Sequence, residues 1–254
     1  MTAYKGYLID LDGTVYRGKE IIPEAVEFVS SLKEQNLPYL FVTNNSSETP
    51  ESVAQKLQNM GIPCETKHVF TSSMATASYL TEQREKQSAY VIGEDGIQKA
   101  LEQAGITYEE DQPGFVVMGI DRGITYEKLA KAALAVRNGA RFIATNKDVS
   151  LPSERGLLPG NGSFVSVISL STGVEPTVIG KPESIIVEQA LERINLSKEE
   201  VLMVGDNYDT DILAGINGGI DTLMVHTGVT TAEQLKEKQE QPTHVVSSLK
   251  EWKI

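Results

Sequence analysis

Short apolar runs bounded by Gly, Asn or Asp recur along the chain: GYLID (6–10), YLFVTNN (39–45), AYVIG (89–93), FVVMGI (115–120), RFIATN (141–146), TVIGK (177–181), VLMVGD (201–206) and TLMVHTG (222–228). Between them lie segments of helical period. Residues 23–35 place Val26, Val29 and Leu32 at helical spacings, with Pro23 suited to a first helical position. Residues 50–60 are framed by Thr49 as a cap, Pro50 next to it and Gly61 as a terminator; further helices are expected over 95–104, 125–138 and 182–194. Strands that are continuously apolar and separated by helices predict a parallel sheet covered on both faces, hence an α/β, doubly wound, Rossmann-like fold. The sequence contains no internal repeat and no low-complexity tract.

Ligands of such sheets bind at the carboxyl ends of the strands. The polar residues at those ends are Asp10 and Asp12, Thr43 with Asn44 and Asn45, Lys181, and Asp206. In LIDLDGTVYRG (8–18), read as an extended segment, alternation points Asp10 and Asp12 to one face and Leu11 to the other. Two carboxylates held side by side repel unless a cation or a shared proton compensates them. Taken singly, each piece also has an ordinary reading: a turn at DLD, a helix entry at TNNS, a surface lysine at 181, a helix cap in GDNYDTD (205–211). Their occurrence together, each at an expected strand end, is what those readings leave unexplained.

Composition narrows the setting. The 254 residues are 40% hydrophobic and 23% charged, enough for one large domain or two smaller ones. The single cysteine, Cys64, excludes an intramolecular disulfide, and the N-terminal stretch lacks the basic and apolar regions of a secretory signal, so a cytoplasmic protein is expected. No apolar run approaches the length of about 18 residues that a membrane span needs. A net charge of −12 with no basic run argues against a nucleic acid polymer or an anionic membrane as partner. His68, His226 and His244 share no metal-ligand spacing and read as structural. Cys64 reads as packing, Trp252 as an anchor of the last segment, and residues 230–241 as a solvated acidic helix.

The motifs DLDGT (10–14), TNN (43–45), Lys181 and GDNYDTD (205–211) resemble those of haloacid-dehalogenase-type phosphatases, in the same order and over almost the whole chain. The resemblance implies a Mg²⁺-dependent phosphatase in which Asp10 is the nucleophile that becomes an aspartyl phosphate. Asp12 would be the acid and then the base. Asp10, the Asp12 carbonyl and Asp206 would hold the metal, with Asn207 and Asp211 orienting its water. Thr43, Asn44, Asn45 and Lys181 would bind the phosphoryl group. The chemistry is coherent, because a phosphomonoester dianion repels a carboxylate nucleophile until a hard cation neutralises the charge between them.

Between Thr14 and Pro23 stand eight residues, too few for an inserted lid; between Asn45 and Lys181 stand 135, far more than a crossover requires. The expected organisation is therefore a core over 1–80 and 178–254, with a smaller α/β cap over 81–177. That placement, with ATNKD (144–148) and PGNGS (159–163), resembles the NagD-like branch with its C2-type cap. It implies small phosphorylated metabolites as partners: sugar or acid-sugar phosphates, with nucleotides and pyridoxal phosphate as further candidates. Related caps often pair, so a homodimer fits the reading. Arg155, in the stretch 149–158, is the candidate for contacting a second anionic group on the substrate. The alternative from another class is a non-catalytic phospho-aspartate or metabolite-binding module on the same fold.

Overall fold

In a computed structural model, described for residues 4–153 and 155–254, the chain divides into two compact units. The first comprises Met1–Thr43, Pro50–Phe70 and Lys181–Ile254, and the second Asn44–Thr49 and Thr71–Gly180. In chain order come β1 (Gly6–Ile9), a ribbon of β2 (Tyr16–Arg17) and β3 (Glu20–Ile21), α1 (Pro23–Glu34), β4 (Tyr39–Thr43), α2 (Pro50–Asn59) and β5 (Val69–Thr71). The middle of the chain forms α3 (Ser72–Thr81), β6 (Ser88–Ile92), α4 (Asp95–Gln103), β7 (Thr107–Tyr108), β8 (Phe115–Met118), α5 (Tyr126–Arg137) and β9 (Arg141–Ala144). It continues with a hairpin of β10 (Ser150–Ser153) and β11 (Gly156–Pro159), then α6 (Asn161–Thr172) and β12 (Thr177–Val178). The remainder holds α7 (Ser184–Ile194), β13 (Val201–Gly205), α8 (Leu213–Gly218), β14 (Asp221–Val225), α9 (Ala232–Lys236) and β15 (His244–Val246).

The sheet of the first unit has the order β15-β14-β13-β1-β4-β5. Its inner strands pair in parallel, with Leu8 opposite Met203 on one side and Leu40 on the other. After β1 the chain winds outward to β4 and β5, then returns to the other side of β1 as β13, β14 and β15. The reversal lies between β1 and β13, the topological switch point where open α/β sheets bind ligands. The second unit carries its own parallel sheet, β12-β9-β8-β6-β7. An α/β, doubly wound core and a second α/β unit are thus present, and the eight residues after Thr14 make only the β2–β3 ribbon.

Local chemistry accounts for the elements. Helix α1 begins on Pro23 and buries Ala25, Phe28, Val29 and Leu32, one stripe of a helix, against a core that includes Tyr7, Ile9 and Phe41. Phe28, Val29 and Leu32 each contribute about 1.5–3 kcal/mol by leaving water. Helix α2 buries Val53, Ala54 and Leu57 and is followed by Gly61 at φ +84°, a left-handed stop. Helix α3 was not expected from periodicity, because it buries small and polar residues (Ser72, Ser73, Ala75, Thr76, Ala77) with Leu80 and so shows no apolar stripe. The acidic segment 230–241 is helical only over Ala232–Lys236, behind a Thr231 cap. The expected boundaries 81 and 177 fall inside the second unit, which takes in α3, packed on α4, and the segment Asn44–Thr49, tied to α4 by Gly96 N donating to Ser47 O at 2.9 Å. Among the described residues no helix is long and apolar enough to cross a membrane.

Candidate active site

The adjacent strands β1 and β13 end side by side in the first unit, and Asp10, Asp206 and Asp211 form one cluster there with Lys181. Strand β1 stops at Ile9, and the Leu11 carbonyl accepts from Val15 N at 2.8 Å, so the chain turns instead of continuing extended. The two aspartates consequently part company: Asp10 is buried and Asp12 is exposed, its carboxylate 3.5 Å from Gly18 N. Gly13, at φ +96°, makes this turn, and a Cβ there would overlap the Asp206 carboxylate, so no other residue fits. Asp206 follows β13, and Asp211 sits in the π-helical turn Tyr208–Ile212 behind it. Asn207 caps that turn, its side chain accepting from Asp209 N at 3.0 Å, while its own N–H donates to Asp211 Oδ2 at 3.0 Å.

Lys181 is only 2% exposed, and its ammonium donates to Asp10 Oδ1 at 2.5 Å, to Asp211 Oδ1 at 2.8 Å and to the Val42 carbonyl at 2.9 Å. A lysine beside a proline could have been a surface residue; here it lies at the centre of the acidic cluster. Oxygens of Asp10, Asp206 and Asp211 lie within 4.8 Å of one another, the one group of three or more potential ligand residues so placed among the described residues. Each oxygen of Asp206 has a donor of its own, Thr14 Oγ1 at 3.1 Å and Val229 N at 2.7 Å.

Three buried carboxylates gathered about one ammonium leave a negative excess, which Asp10 and Asp206 feel. Burial, reinforced by the Asp211 charge, pushes Asp10 well above the usual carboxylate range although Lys181 pulls the other way. Burial and Asp211 likewise lift Asp206 to about 6, against the Val229 and Thr14 donors. Burial works against the Lys181 ammonium, but Asp10 and Asp211 more than offset it and hold its pKa above that of an ordinary lysine. An all-oxygen donor set with an unmet negative charge suits a hard divalent cation. Gly205 keeps the space beside it clear, since a Cβ there would overlap Asp211.

Residues 7–107 match the haloacid dehalogenase-like hydrolase family and residues 178–252 match a HAD-hydrolase-like family. The chain is 60% identical to the 5'-nucleotidase YutF of Bacillus subtilis, over 99% of this chain and 98% of that protein. It belongs to the haloacid dehalogenase-like hydrolases. An acid sugar phosphatase of Staphylococcus haemolyticus is 52% identical over 98% of this chain and 95% of its own length. The structure of NagD from Escherichia coli K-12 superposes with a TM-score of 0.94 at 34% identity, covering 99% of each chain. This haloacid dehalogenase-like hydrolase therefore lies in the NagD-like branch and is a phosphoric monoester hydrolase.

The other expected residues of the hydrolase fall as follows. Thr43 is buried at the end of β4. Asn44 and Asn45 belong to the second unit. The Asn44 amide donates to Asp148, and the Asn45 side chain organises its own loop, accepting from Ser47 N at 2.8 Å and donating to Glu48 at 2.7 Å. Arg155 is exposed in the turn of the β10–β11 hairpin, in a stretch read from sequence as a loop. The histidines are used locally: His68 stacks on Tyr39, His226 contacts the Thr230 carbonyl, and His244 meets the Tyr4 hydroxyl at 2.8 Å. Burial pushes the Cys64 thiol up to about 12, which leaves it unreactive. The Val42 carbonyl, Thr14 and Val229 N were missed as supports; Thr14 stood inside a recognised motif, whereas backbone groups carry no side-chain signal.

Proposed function

We propose that the chain is a Mg²⁺-dependent phosphatase of small phosphomonoesters, acting through an aspartyl phosphate on Asp10. The observation that carries the reading is the Asp10, Asp206, Asp211 cluster, with the buried Lys181 ammonium paired to two of its three carboxylates. Asp10 and Asp206 would hold the cation, with the Asp12 carbonyl, while Asp211 and Asn207 support it from behind. When bound, the cation neutralises the charge between carboxylate and phosphate and polarises the phosphoryl group. A carboxylate oxygen of Asp10 attacks phosphorus, the bond to the ester oxygen breaks, and Asp12, whose carboxyl is exposed, gives that oxygen a proton. Asp12 then takes a proton from water as the water oxygen attacks phosphorus, the bond to Asp10 breaks and phosphate leaves. Thr43, the Asn44 N–H and Lys181 hold the phosphoryl oxygens. A long-lived phospho-aspartate module is disfavoured by the base two residues from the nucleophile.

The names of the relatives suggest acid sugar phosphates and nucleoside 5'-monophosphates as substrates. Phosphate release from acid sugar phosphates, neutral sugar phosphates, nucleotides and pyridoxal phosphate, with Mg²⁺ and with chelator, tests this. Release is expected only with metal, and Arg155→Ala is expected to raise the Michaelis constant for acid sugars while sparing neutral ones. Equal release in chelator would overturn the metal requirement.

Metal binding is also expected to depend on pH. Because Asp206 titrates near 6 and Asp10 above the ordinary range, a cation must displace protons at low pH. The Mg²⁺-induced rise in thermal midpoint should be full at pH 7.5 and nearly gone at pH 5; a rise independent of pH would contradict the assignment.

A further inference from the structure

The ATNKD stretch of the second unit, residues 144–148, has no role in the chemistry above, yet two of its side chains, Asn146 and Asp148, meet at Asn44. Asn44 Nδ2 faces both oxygens of Asp148, at 3.2 and 3.3 Å. The Asn44 carbonyl accepts from Asn146 Nδ2 at 2.9 Å and from Ser72 Oγ at 2.8 Å. Asp148 is itself pinned at both ends of its peptide: its N–H donates to Asn146 Oδ1 at 3.1 Å, and its carbonyl accepts from Gly162 N at 2.9 Å, at the start of α6. Asn146 is buried, and its carbonyl accepts from Asn161 Nδ2 at 2.9 Å. Gly180 closes the arrangement, because a Cβ there would crowd Asn44 Oδ1 and the Thr145 carbonyl. All these residues lie in the second unit.

Side chain and carbonyl of Asn44 are thus both anchored by this network. Its N–H belongs to the peptide that joins it to Thr43, the last residue of β4. The anchored carbonyl and side chain fix the Asn44 Cα and amide nitrogen, Thr43 at the end of β4 holds the other end of that peptide, and planarity between these two ends then sets where the N–H points. We propose that Asp148, supported by Asn146, is a positioning residue that aims the Asn44 N–H at the transferring phosphoryl group. The inference rests on the reading of Asn44 as a phosphoryl donor given above. It gives a use to a carboxylate that would repel the substrate dianion if directed at it: its charge is taken up by the Asn44 amide. A preorganised donor counts for more than one that must be ordered during the reaction.

The experiment measures kcat, KM and the dissociation constant of inorganic phosphate in the Mg²⁺-loaded full chain, for wild type, Asp148→Ala, Asp148→Asn, Asn44→Ala and the Asn44→Ala/Asp148→Ala pair. Loss of one hydrogen bond to a charged group corresponds to about ten-fold. Asp148→Ala is expected to lower kcat and weaken phosphate binding by about that factor, with unfolding midpoint near wild type. Asp148→Asn keeps an acceptor for the Asn44 amide and should recover most of the loss. The double variant should be no worse than the poorer single variant, as for residues acting through one another. Asp148→Ala with wild-type kcat and phosphate affinity, or losses that simply add in the double variant, would overturn the inference and leave the phosphatase reading standing. A wild-type protein that neither turns over phosphomonoesters nor binds phosphate would remove both.

Discussion

Asp10→Asn is expected to lower phosphate release by on the order of 10³-fold or more while leaving the fold intact. The amide is close to isosteric, and its oxygen can still accept from the Lys181 ammonium that now donates to Asp10 Oδ1 at 2.5 Å. It cannot act as nucleophile at phosphorus. The carboxylate it replaces is buried beside Asp211 and Asp206 and held well above the ordinary range, so its ionisation costs stability in the metal-free protein. At pH 7.5 in chelator, Asn at this position should therefore unfold at the same temperature as wild type or higher. Activity and stability then move in opposite directions, the pattern of a group placed for reaction and not for folding. Rapid acid quench of wild type during turnover should trap a phosphoryl group on the peptide carrying Asp10, absent from the variant. Turnover above a tenth of wild type in a homogeneous Asp10→Asn preparation would sink the nucleophile assignment.

The core sheet was legible because its strands are buried on both faces and so read as unbroken apolar runs, as in Tyr39–Thr43 and Val201–Gly205. Their carboxyl-end residues were legible for the same reason: a charged residue after such a run has to mean either an end or a site. Depth was not legible. Lys181 and Asp10 are 171 positions apart, and no local signal distinguishes a buried lysine shared by two aspartates from a surface one. Nor was the parting of Asp10 from Asp12, since period-two alternation holds only while the strand continues, and here the turn at Leu11 ends it. Asn45 shows the converse: the ordinary reading of TNNS as a helix-entry turn describes its side chain, which accepts from Ser47 N. Helix α3 escaped because small residues buried on several sides leave no stripe for periodicity to find.

Lys181→Met removes the buried ammonium that Asp10 and Asp211 share, and the expected loss is large in both stability and activity. An ion pair buried this deeply costs about 3–5 kcal/mol to break by deleting one partner, because the survivors stay buried without compensation. The loss should depend on pH in a definite direction. Asp10 and Asp206 have folded-state pKa values above their unfolded ones, so the stability each contributes is complete below about pH 4 and is lost as pH rises, for Asp206 through about 6. Lys181, raised in the folded state, stays protonated over the same range and limits that decline. Without it both carboxyls move further up, and the metal-free variant should lose more stability between pH 5 and pH 7.5 than wild type does. Chemical denaturation in chelator at the two pH values measures this directly. Added Mg²⁺ should restore part of the stability at pH 7.5, since a divalent cation can replace the missing charge, but not the turnover, because no ammonium remains to hold the phosphoryl oxygens. An equal loss at both pH values would mean that Lys181 contributes through packing of its stem alone, and that the cluster's charge is balanced elsewhere.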